Sequence, residues 1–141
     1  MYDSPGRLIG LLYRKGQIFW TRALKDQKIG AAEYPVLLRL YRGDGLTQEE
    51  ITRDLAVDKS AVTRVIQTLL DKGLVERRKD EKDRRCNRIF LTSLANAQRE
   101  SIKQIQLQWN QILQQQMTEE EQKLFFLLLE KAAESIKEET L

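Results

Sequence analysis

The stretch that decides the fold runs from residue 46 to residue 92 and has the sequence LTQEEITRDLAVDKSAVTRVIQTLLDKGLVERRKDEKDRRCNRIFLT. Its TQEE segment is a capping box, in which the threonine hydroxyl and the second glutamate carboxylate satisfy free backbone donors, and it predicts a short helix ending near Leu55. After the turn at residues 55–57, Asp58 is placed to cap a second helix. That helix is expected to end at Gly73, because glycine is common just past a helix C-terminus.

A charged hairpin is predicted after the second helix. Residues 74–78 and 88–92 are strand-like, and the loop between them closes the hairpin. The segment from Arg77 to Arg88 holds seven basic and three acidic residues, a concentration of positive charge suited to a phosphate backbone. A solvated surface loop is the alternative on charge alone. Helix, tight turn, helix and hairpin together predict a helix-turn-helix followed by a wing.

The second helix is amphipathic, and it is the helix expected to enter the major groove of DNA. Its inner stripe consists of Val62, Val65, Ile66, Leu69 and Leu70. Its outward face carries Lys59, Ser60, Thr63, Arg64 and Gln67. These polar side chains are donors and acceptors of the types that contact base edges and phosphates, and they cluster toward the N-terminal half of the helix. The alternative is an ordinary solvated face.

The tip of the hairpin carries three more cations, Lys82, Arg84 and Arg85, with Asp83 placed to orient a neighbouring guanidinium. An arginine held at a loop tip can enter the narrow minor groove, where the negative potential is strongest. The helix would contact one groove of the duplex while the wing contacts the other. Two such elements in succession favour DNA binding.

Residues 46–92 resemble the winged-helix core of the MarR family of bacterial regulators. The resemblance includes the wing signature Asp-x-Arg…Leu-Thr, present as Asp83, Arg85, Leu91 and Thr92, and the run KGLVER at 72–77. It implies a winged helix-turn-helix fold, a homodimer built from the terminal helices, and binding of double-stranded DNA at a pseudo-palindromic site. It also implies that repression is the commoner mode, and that a small molecule or an oxidant commonly releases the DNA.

Carried over position by position, the resemblance implies that Ser60, Thr63 and Arg64 contact bases or phosphates. It implies that Arg85 is the wing-tip arginine and that Asp83 supports it. The predicted DNA-binding set is completed by Lys59, Gln67 and Arg84.

A ligand pocket between the dimerisation helices and the winged helix is a further implication of the resemblance. Arg14 and Tyr34 occupy the corresponding places, and Tyr13, Trp20 and Arg64 are expected nearby. An arginine beside an aromatic ring suits a small aromatic or phenolic carboxylate effector. In the alternative interpretation, Tyr34 is a core residue and Arg14 a surface cation.

The flanking segments are predicted to be helical, so the fold class is mainly α with a small β-hairpin wing (α+β). Helices are expected over residues 4–25, 31–41 and 93–116, and a second capping box at Thr118 opens the last one. We expect a single chain, 1–141, with the winged helix-turn-helix at 31–92 and a helical dimerisation region at 1–30 and 93–141. Wide apolar faces on the first and last helices favour the dimer; folding back onto the chain's own core as a monomer is the alternative.

Composition excludes several classes of function. The 141 residues include no histidine and one cysteine, Cys86, so imidazole catalysis and internal disulfides are absent. No nucleophile elbow, phosphate-cradling glycine loop or metal-ligand spacing is present, and neither an enzyme nor a cofactor is expected. No signal peptide is visible, and no apolar run approaches the ~18 residues of a membrane span. These features predict a cytoplasmic protein with no membrane partner.

Two alternatives stay open from the sequence. A winged helix that binds protein rather than DNA is the competing function, although the basic wing argues against it. Cys86 lies beside the wing arginines, where oxidation could disturb DNA contact, but a coincidental surface cysteine is the other interpretation.

Overall fold

The computed structural model describes residues 3–137 and residue 141, and it is mainly helical with one small sheet. The helices are α1 (Pro5–Ala23), α2 (Tyr34–Tyr41), α3 (Gln48–Leu55), α4 (Lys59–Asp71), α5 (Ser93–Ala97), α6 (Arg99–Gln114) and α7 (Glu119–Ser135). The strands are β1 (Leu46–Thr47), β2 (Val75–Lys79) and β3 (Asn87–Leu91). This architecture confirms the predicted fold class.

Helix α1 has the predicted cap, and α2 begins later than predicted. The Ser4 hydroxyl accepts a hydrogen bond of 3.2 Å from the Gly6 amide, with Pro5 in the first turn of α1. Residues 31–33 form a turn, and α2 starts at Tyr34. Proline has no amide hydrogen and is tolerated only in the first turn of a helix. Pro35 therefore lies in the opening turn of α2, and the helix does not extend back to residue 31 as predicted.

The helix-turn-helix forms from the predicted caps. The Thr47 hydroxyl accepts from the Glu50 amide at 3.2 Å, and the Glu50 carboxylate accepts from the Thr47 amide at 3.2 Å. The turn after α3 is made by Ala56, whose φ of +51° lies in the left-handed region. A non-glycine residue adopts that region only at some energetic cost. The Ala56 amide donates hydrogen bonds to the carbonyls of Arg53 and Thr52, which hold the turn. Gly73 ends α4 with a φ of +71°, as predicted.

The sheet has three strands in the order β1-β3-β2, all antiparallel. Strands β2 and β3 each lie one residue from the predicted positions. β1 was not predicted, because two residues are too few for an alternating pattern. Hydrogen bonds from the preceding turn support this sheet: the Asp44 carboxylate accepts from the Leu91 amide at 2.9 Å, and the Gly45 amide donates to the Ile89 carbonyl at 2.7 Å.

The predicted helix over residues 93–116 is divided into α5 and α6 at Gln98. The Gln98 amide donates to the carbonyl of Ala95, three residues back, at 3.1 Å, whereas a regular α-helix bonds four residues back. The 16 residues of α6 correspond to about 24 Å of helix rather than the roughly 35 Å expected for an unbroken one.

The chain divides into two compact units, the first ending at Gln106 and the second beginning at Leu107. The core of the first unit contains Leu24, Ile29, Tyr34, Val36, Leu37, Leu40, Ile51, Val62, Ile66, Leu69, Leu74, Val75, Ile89, Leu91, Ala95, Ile102 and Ile105. The second unit contains the end of α6 and all of α7. Helix α7 has the predicted capping box between Thr118 and Glu121, and none of its described side chains is buried.

A half-buried ion pair ties the C-terminal end of α4 to the segment before α2. The Lys72 ammonium donates to both carboxylate oxygens of Glu33, at 2.9 and 2.8 Å, and to the Lys28 carbonyl at 2.6 Å. Glu33 is only 8% exposed. Because a buried carboxylate needs its partners, this contact helps to set the position of α4.

Replacing Glu33 tests that contact. Glu33→Ala is expected to lower the free energy of unfolding by about 1–2 kcal/mol, because it leaves the ammonium without its carboxylate while solvent still reaches part of Lys72. Urea unfolding at one fixed protein concentration measures the change. Arg7→Ala, which breaks the exposed Arg7–Asp3 pair, is the control and is expected to change stability by under about 0.5 kcal/mol. A Glu33→Ala protein as stable as the parent would contradict the role.

Candidate nucleic-acid interface

Helix α4 separates its apolar and polar side chains onto opposite faces. Val62, Ile66 and Leu69 are at most 1% exposed, while Val65 and Leu70 are half-buried and pack against the same core. The polar set predicted from the sequence, Lys59, Ser60, Thr63, Arg64 and Gln67, is exposed. The structure therefore presents these five side chains on one accessible surface.

The N-terminus of α4 is organised by Asp58. Its carboxylate accepts hydrogen bonds from the Ser60 amide at 3.1 Å, from the Ala61 amide at 3.4 Å, and from the Ser60 hydroxyl. The hydrogen bond from the Ser60 hydroxyl is the largest of the effects that hold the pKa of Asp58 below its usual value. The positive charge of Arg64 also lowers it. Asp58 is therefore an ionised cap that fixes the rotation of the Ser60 hydroxyl.

Thr63 is held by two elements at once. Its hydroxyl donates to the Lys59 carbonyl at 2.9 Å and accepts a hydrogen bond from the side-chain amide of Gln48, the first residue of α3. The contact of Gln48 was not predicted, because 15 residues separate it from Thr63 in the chain. No local pattern indicates such a contact.

Gln67 is engaged within its own helix. Its amide nitrogen donates one of its two hydrogens to the Asp71 carboxylate at 2.9 Å, so the carbonyl oxygen and the second amide hydrogen are not used in this bond. Lys59 and Arg64 place exposed cations at the N-terminal half of α4.

The tip of the wing (residues 75–91) carries an exposed arginine, which is held by a carboxylate. The Arg85 side chain is 92% exposed, and its Nε lies 3.2 Å from the Asp83 carboxylate, which also accepts from the Arg85 amide at 3.1 Å. The hydrogen bond from the Arg85 backbone amide is the largest effect that lowers the pKa of Asp83, and the hydrogen bond from the Arg85 side chain is the next largest. Asp83 therefore stays ionised and orients Arg85, while Arg84 lies exposed beside them.

The base of the wing is anchored by Arg88, which was predicted only as one charge of the basic segment from Arg77 to Arg88. One guanidinium nitrogen donates to the Gly45 carbonyl at 2.8 Å, and the other donates to the Asp80 carboxylate at 3.3 Å. The pKa of Asp80 is lowered most by the hydrogen bond from the Lys82 backbone amide and next by the hydrogen bond from the Arg88 side chain. Arg88 thus connects the loop of the wing to the turn before β1.

The Leu-Thr end of the wing signature is structural. The Thr92 hydroxyl donates to the Gly73 carbonyl at 2.6 Å and accepts from the Ala95 amide at 3.3 Å. Thr92 therefore caps α5 while holding the end of the wing against the end of α4.

Cys86 is exposed near the wing tip. Its Sγ lies 3.7 Å from the Asp83 carboxylate. The negative charge of Asp83 is the largest of the effects that raise the pKa of the thiol. The thiolate is the reactive form of cysteine, so this environment favours the interpretation of Cys86 as a surface cysteine.

Tyr34 lies in the core, as in the alternative interpretation, and its role in a ligand pocket stays a prediction. It is 3% exposed, its ring centroid lies 5.7 Å from that of Trp20, and burial raises its pKa to about 12. Arg14 is exposed on α1, with its guanidinium beside Gly10. A cavity of about 550 Å³ lies elsewhere in the first unit, lined by Pro35, Leu38, Arg39, Arg42, Asp54, Leu55 and Gln106.

These elements define the class of the protein: a winged helix-turn-helix, with an amphipathic recognition helix (α4) and an arginine-tipped wing in one compact unit. Comparison with known proteins supports this assignment to the winged helix-turn-helix class. A family model described as the MarR family matches residues 29–87. Among curated relatives, the multiple antibiotic resistance protein MarR of Escherichia coli is 33% identical over 88 residues, which cover 62% of this chain and 61% of that protein.

Solved structures match over nearly the whole chain. A MarR transcriptional regulator from Methanosarcina mazei Go1 has a TM-score of 0.88 and 38% identity, covering 92% of this chain and 94% of that one. A cysteine-to-serine variant of MarR from E. coli, complexed with operator DNA, has a TM-score of 0.80 and 30% identity, covering 90% of this chain and 91% of that one.

The chain belongs to the MarR family. It spans about half the length of the first curated relatives that it matches, 57% and 44% of two HTH-type transcriptional regulators of Bacillus subtilis, YybA and YdgJ. In residues 3–137, each helix is too short or too polar to cross a bilayer.

The anchoring role of Arg88 has a measurable consequence. Arg88→Ala is expected to speed amide hydrogen exchange at Asp80 and Cys86 several-fold. These amides donate to the Cys86 and Asp83 carbonyls, and without the tie to Gly45 those loop bonds open more often. Hydrogen exchange followed by NMR, without DNA, measures the rates. Arg84→Ala is the matched control in the same loop and should leave them unchanged; equal rates in the parent and in Arg88→Ala would exclude the anchor.

Proposed function

We propose that this chain is a homodimeric, sequence-specific DNA-binding regulator of transcription that acts as a repressor at a pseudo-palindromic operator. One observation carries the proposal. The polar face of α4 and the exposed Arg85 belong to the same compact unit, and the side chains of Ser60, Thr63 and Arg85 are held by hydrogen bonds within the protein.

The chemistry of the two elements matches the two grooves of DNA. An α-helix fits the major groove, where each base pair presents a distinct set of donors and acceptors. The N-terminal half of α4 offers Ser60, Thr63 and Arg64 for that contact, with Lys59 and Gln67 beside them. Arg85 suits the narrow minor groove, where a guanidinium meets the strongest negative potential. Arg84 supplies further charge to the phosphate backbone.

Dimerisation is supported by exposed apolar side chains on helices of both units. Helix α1 exposes Leu8, Ile9, Tyr13 and Ile18, and α7 exposes Leu124, Phe126, Leu127, Leu128 and Leu129. Burying one large apolar side chain stabilises an interface by about 1.5–3 kcal/mol. A second copy of the chain offers the same faces, and a two-fold dimer would present two recognition helices to the two half-sites of an operator.

A small aromatic or phenolic effector stays a prediction. Burial of Tyr34 removes it from direct contact with a ligand in this conformation, and Arg14 is left as the exposed cation of the predicted pair. A protein-binding winged helix is the competing function. It predicts no strong salt dependence, whereas DNA binding that neutralises phosphates weakens steeply as salt rises.

Arg85 is the residue that tests the wing. Arg85→Ala is expected to weaken DNA binding roughly tenfold for all sequences alike, because the lost contact is electrostatic, and to make the log–log salt slope shallower by about 0.9 for each cation removed. Fluorescence anisotropy with duplexes chosen from a random pool, across a salt series, measures both. Those duplexes are expected to contain an inverted repeat.

The control for Arg85→Ala is Arg7→Ala, which removes an exposed arginine outside the proposed interface. It should change neither the affinity nor the slope. Unaltered binding by Arg85→Ala would remove the minor-groove role, and a parent protein that ignores every duplex even in dilute salt would remove the function.

Helix α7 tests the dimer. Phe126→Glu is expected to shift the protein toward monomer, because its side chain is 61% exposed in one chain and a buried, unpaired carboxylate would oppose association. Sedimentation velocity across a concentration series measures the shift. Lys123→Glu, an exposed position on the same helix, is the control and should stay dimeric. A parent that sediments as a monomer at all concentrations would contradict the proposal.

A further inference from the structure

The loop at the tip of the wing, residues 80–86, is bonded to the rest of the protein through one side chain. Arg88 supplies that bond, with one guanidinium nitrogen 3.3 Å from the Asp80 carboxylate. Within residues 3–137, the other hydrogen bonds of the loop join its own members to each other. The direction in which the loop leaves the strands therefore depends on the contact between Arg88 and Asp80.

The same guanidinium also contacts the start of the helix-turn-helix. Its other nitrogen donates to the Gly45 carbonyl at 2.8 Å and lies 4.0 Å from the Glu50 carboxylate, which belongs to the capping box of α3. Gly45 is itself fixed, because its amide donates to the Ile89 carbonyl. Since a guanidinium is planar and rigid, Arg88 holds the loop at a set distance from the helix-turn-helix.

A continuous series of hydrogen bonds leads from Arg88 to the arginine at the tip. The Asp80 amide donates to the Cys86 carbonyl at 2.9 Å, and the Cys86 amide donates to the Asp83 carbonyl at 3.0 Å. The Asp83 carboxylate then accepts from the amide and the Nε of Arg85. A guanidinium that is held in place before binding loses less entropy when it enters a groove.

We propose that Arg88 is a positioning residue for DNA binding: its bridge between Asp80 and Gly45 holds the wing where Arg85 reaches the minor groove while α4 occupies the major groove. This inference rests on the proposed function. It makes the contribution of Arg85 to DNA affinity depend on Arg88. The alternative is that Arg88 acts only as one more positive charge near the phosphates.

Arg78 offers a matched control that separates position from charge. It lies directly opposite Arg88 in the register of β2 and β3, so removing either arginine removes the same charge at the same level of the wing. Arg78 is bonded to Glu76 on its own strand and lies over the Phe90 ring, 4.2 Å from its centroid. Within the described residues it makes no hydrogen bond to the loop, so Arg78→Ala changes the charge without releasing the loop.

A double-mutant cycle on DNA affinity tests the inference. Arg85→Ala is expected to weaken binding roughly tenfold in the parent but only about twofold in the Arg88→Ala protein, because Arg85 is no longer held at the groove. In the Arg78→Ala protein it should still weaken binding roughly tenfold, since independent charges contribute additively. Fluorescence anisotropy at one salt concentration, with the duplex that the parent selects, measures every variant.

Asp80→Ala breaks the same bridge from its other end and has the opposite effect on charge. It removes a carboxylate, so an effect of charge alone would tighten binding and leave the contribution of Arg85 intact. The positioning role predicts instead that Arg85→Ala weakens the Asp80→Ala protein only about twofold.

Footprinting at saturating protein shows which contact is lost. Hydroxyl radicals attack sugar hydrogens that line the minor groove, whereas dimethyl sulfate methylates guanine N7 in the major groove. Arg88→Ala is expected to lose the minor-groove protection at the wing, as Arg85→Ala does, and to keep the guanine protection at α4. Arg78→Ala should keep both. A loss of stability alone would reduce both protections together.

The outcomes distinguish this inference from the proposed function. A parent that binds no duplex would overturn both, and a parent in which Arg85→Ala has no effect would overturn this inference and the minor-groove role. A full Arg85 effect in the Arg88→Ala protein, or an equal loss of that effect in the Arg78→Ala protein, would overturn the role of Arg88 alone. Circular dichroism and the melting temperature show whether Arg88→Ala is folded; if it is not, the cycle and footprint with Asp80→Ala decide the question.

Discussion

Burial of one stripe of α4 is the constraint on which the functional surface depends. Val62, Ile66 and Leu69 are almost completely excluded from solvent, and each such side chain stabilises its buried position by about 1.5–3 kcal/mol. Rotating α4 about its axis would expose this stripe, so the helix has one orientation. The polar side chains between the apolar ones then face outward together, and Lys72, bound to Glu33, holds the far end of the helix.

A second level of organisation acts on individual polar side chains. Asp58 orients Ser60, Asp83 orients Arg85, and Gln48 orients Thr63. Each bond is exposed and contributes little to stability. Its effect is to limit the arrangements that a surface side chain samples, which lowers the entropy lost when that side chain binds. The interface is therefore preorganised by short contacts, on a scaffold that the apolar core positions.

Much of the fold was predictable because its signals are local. The two capping boxes, the Ser4 and Asp58 caps and the glycine after α4 all lie within a few residues of the helix ends that they define. The start of α2 was placed too early, since the apolar pattern extends past the point where Pro35 allows a helix to begin. The division at Gln98 was missed as well, because the sequence there has no proline or glycine to mark it.

For the functional surface, too, the features with local signals were predictable and those that depend on distant residues were not. The amphipathic pattern of α4 and the charges of the wing were sufficient to name the polar face, because helical periodicity alone determines which side chains share a face. The roles of Gln48 and Arg88, the pairing of β1 and the burial of Tyr34 depend on residues far apart in the chain. Their partners are brought together only when the core packs, and no spacing rule along the sequence specifies which distant groups will then lie within hydrogen-bonding distance.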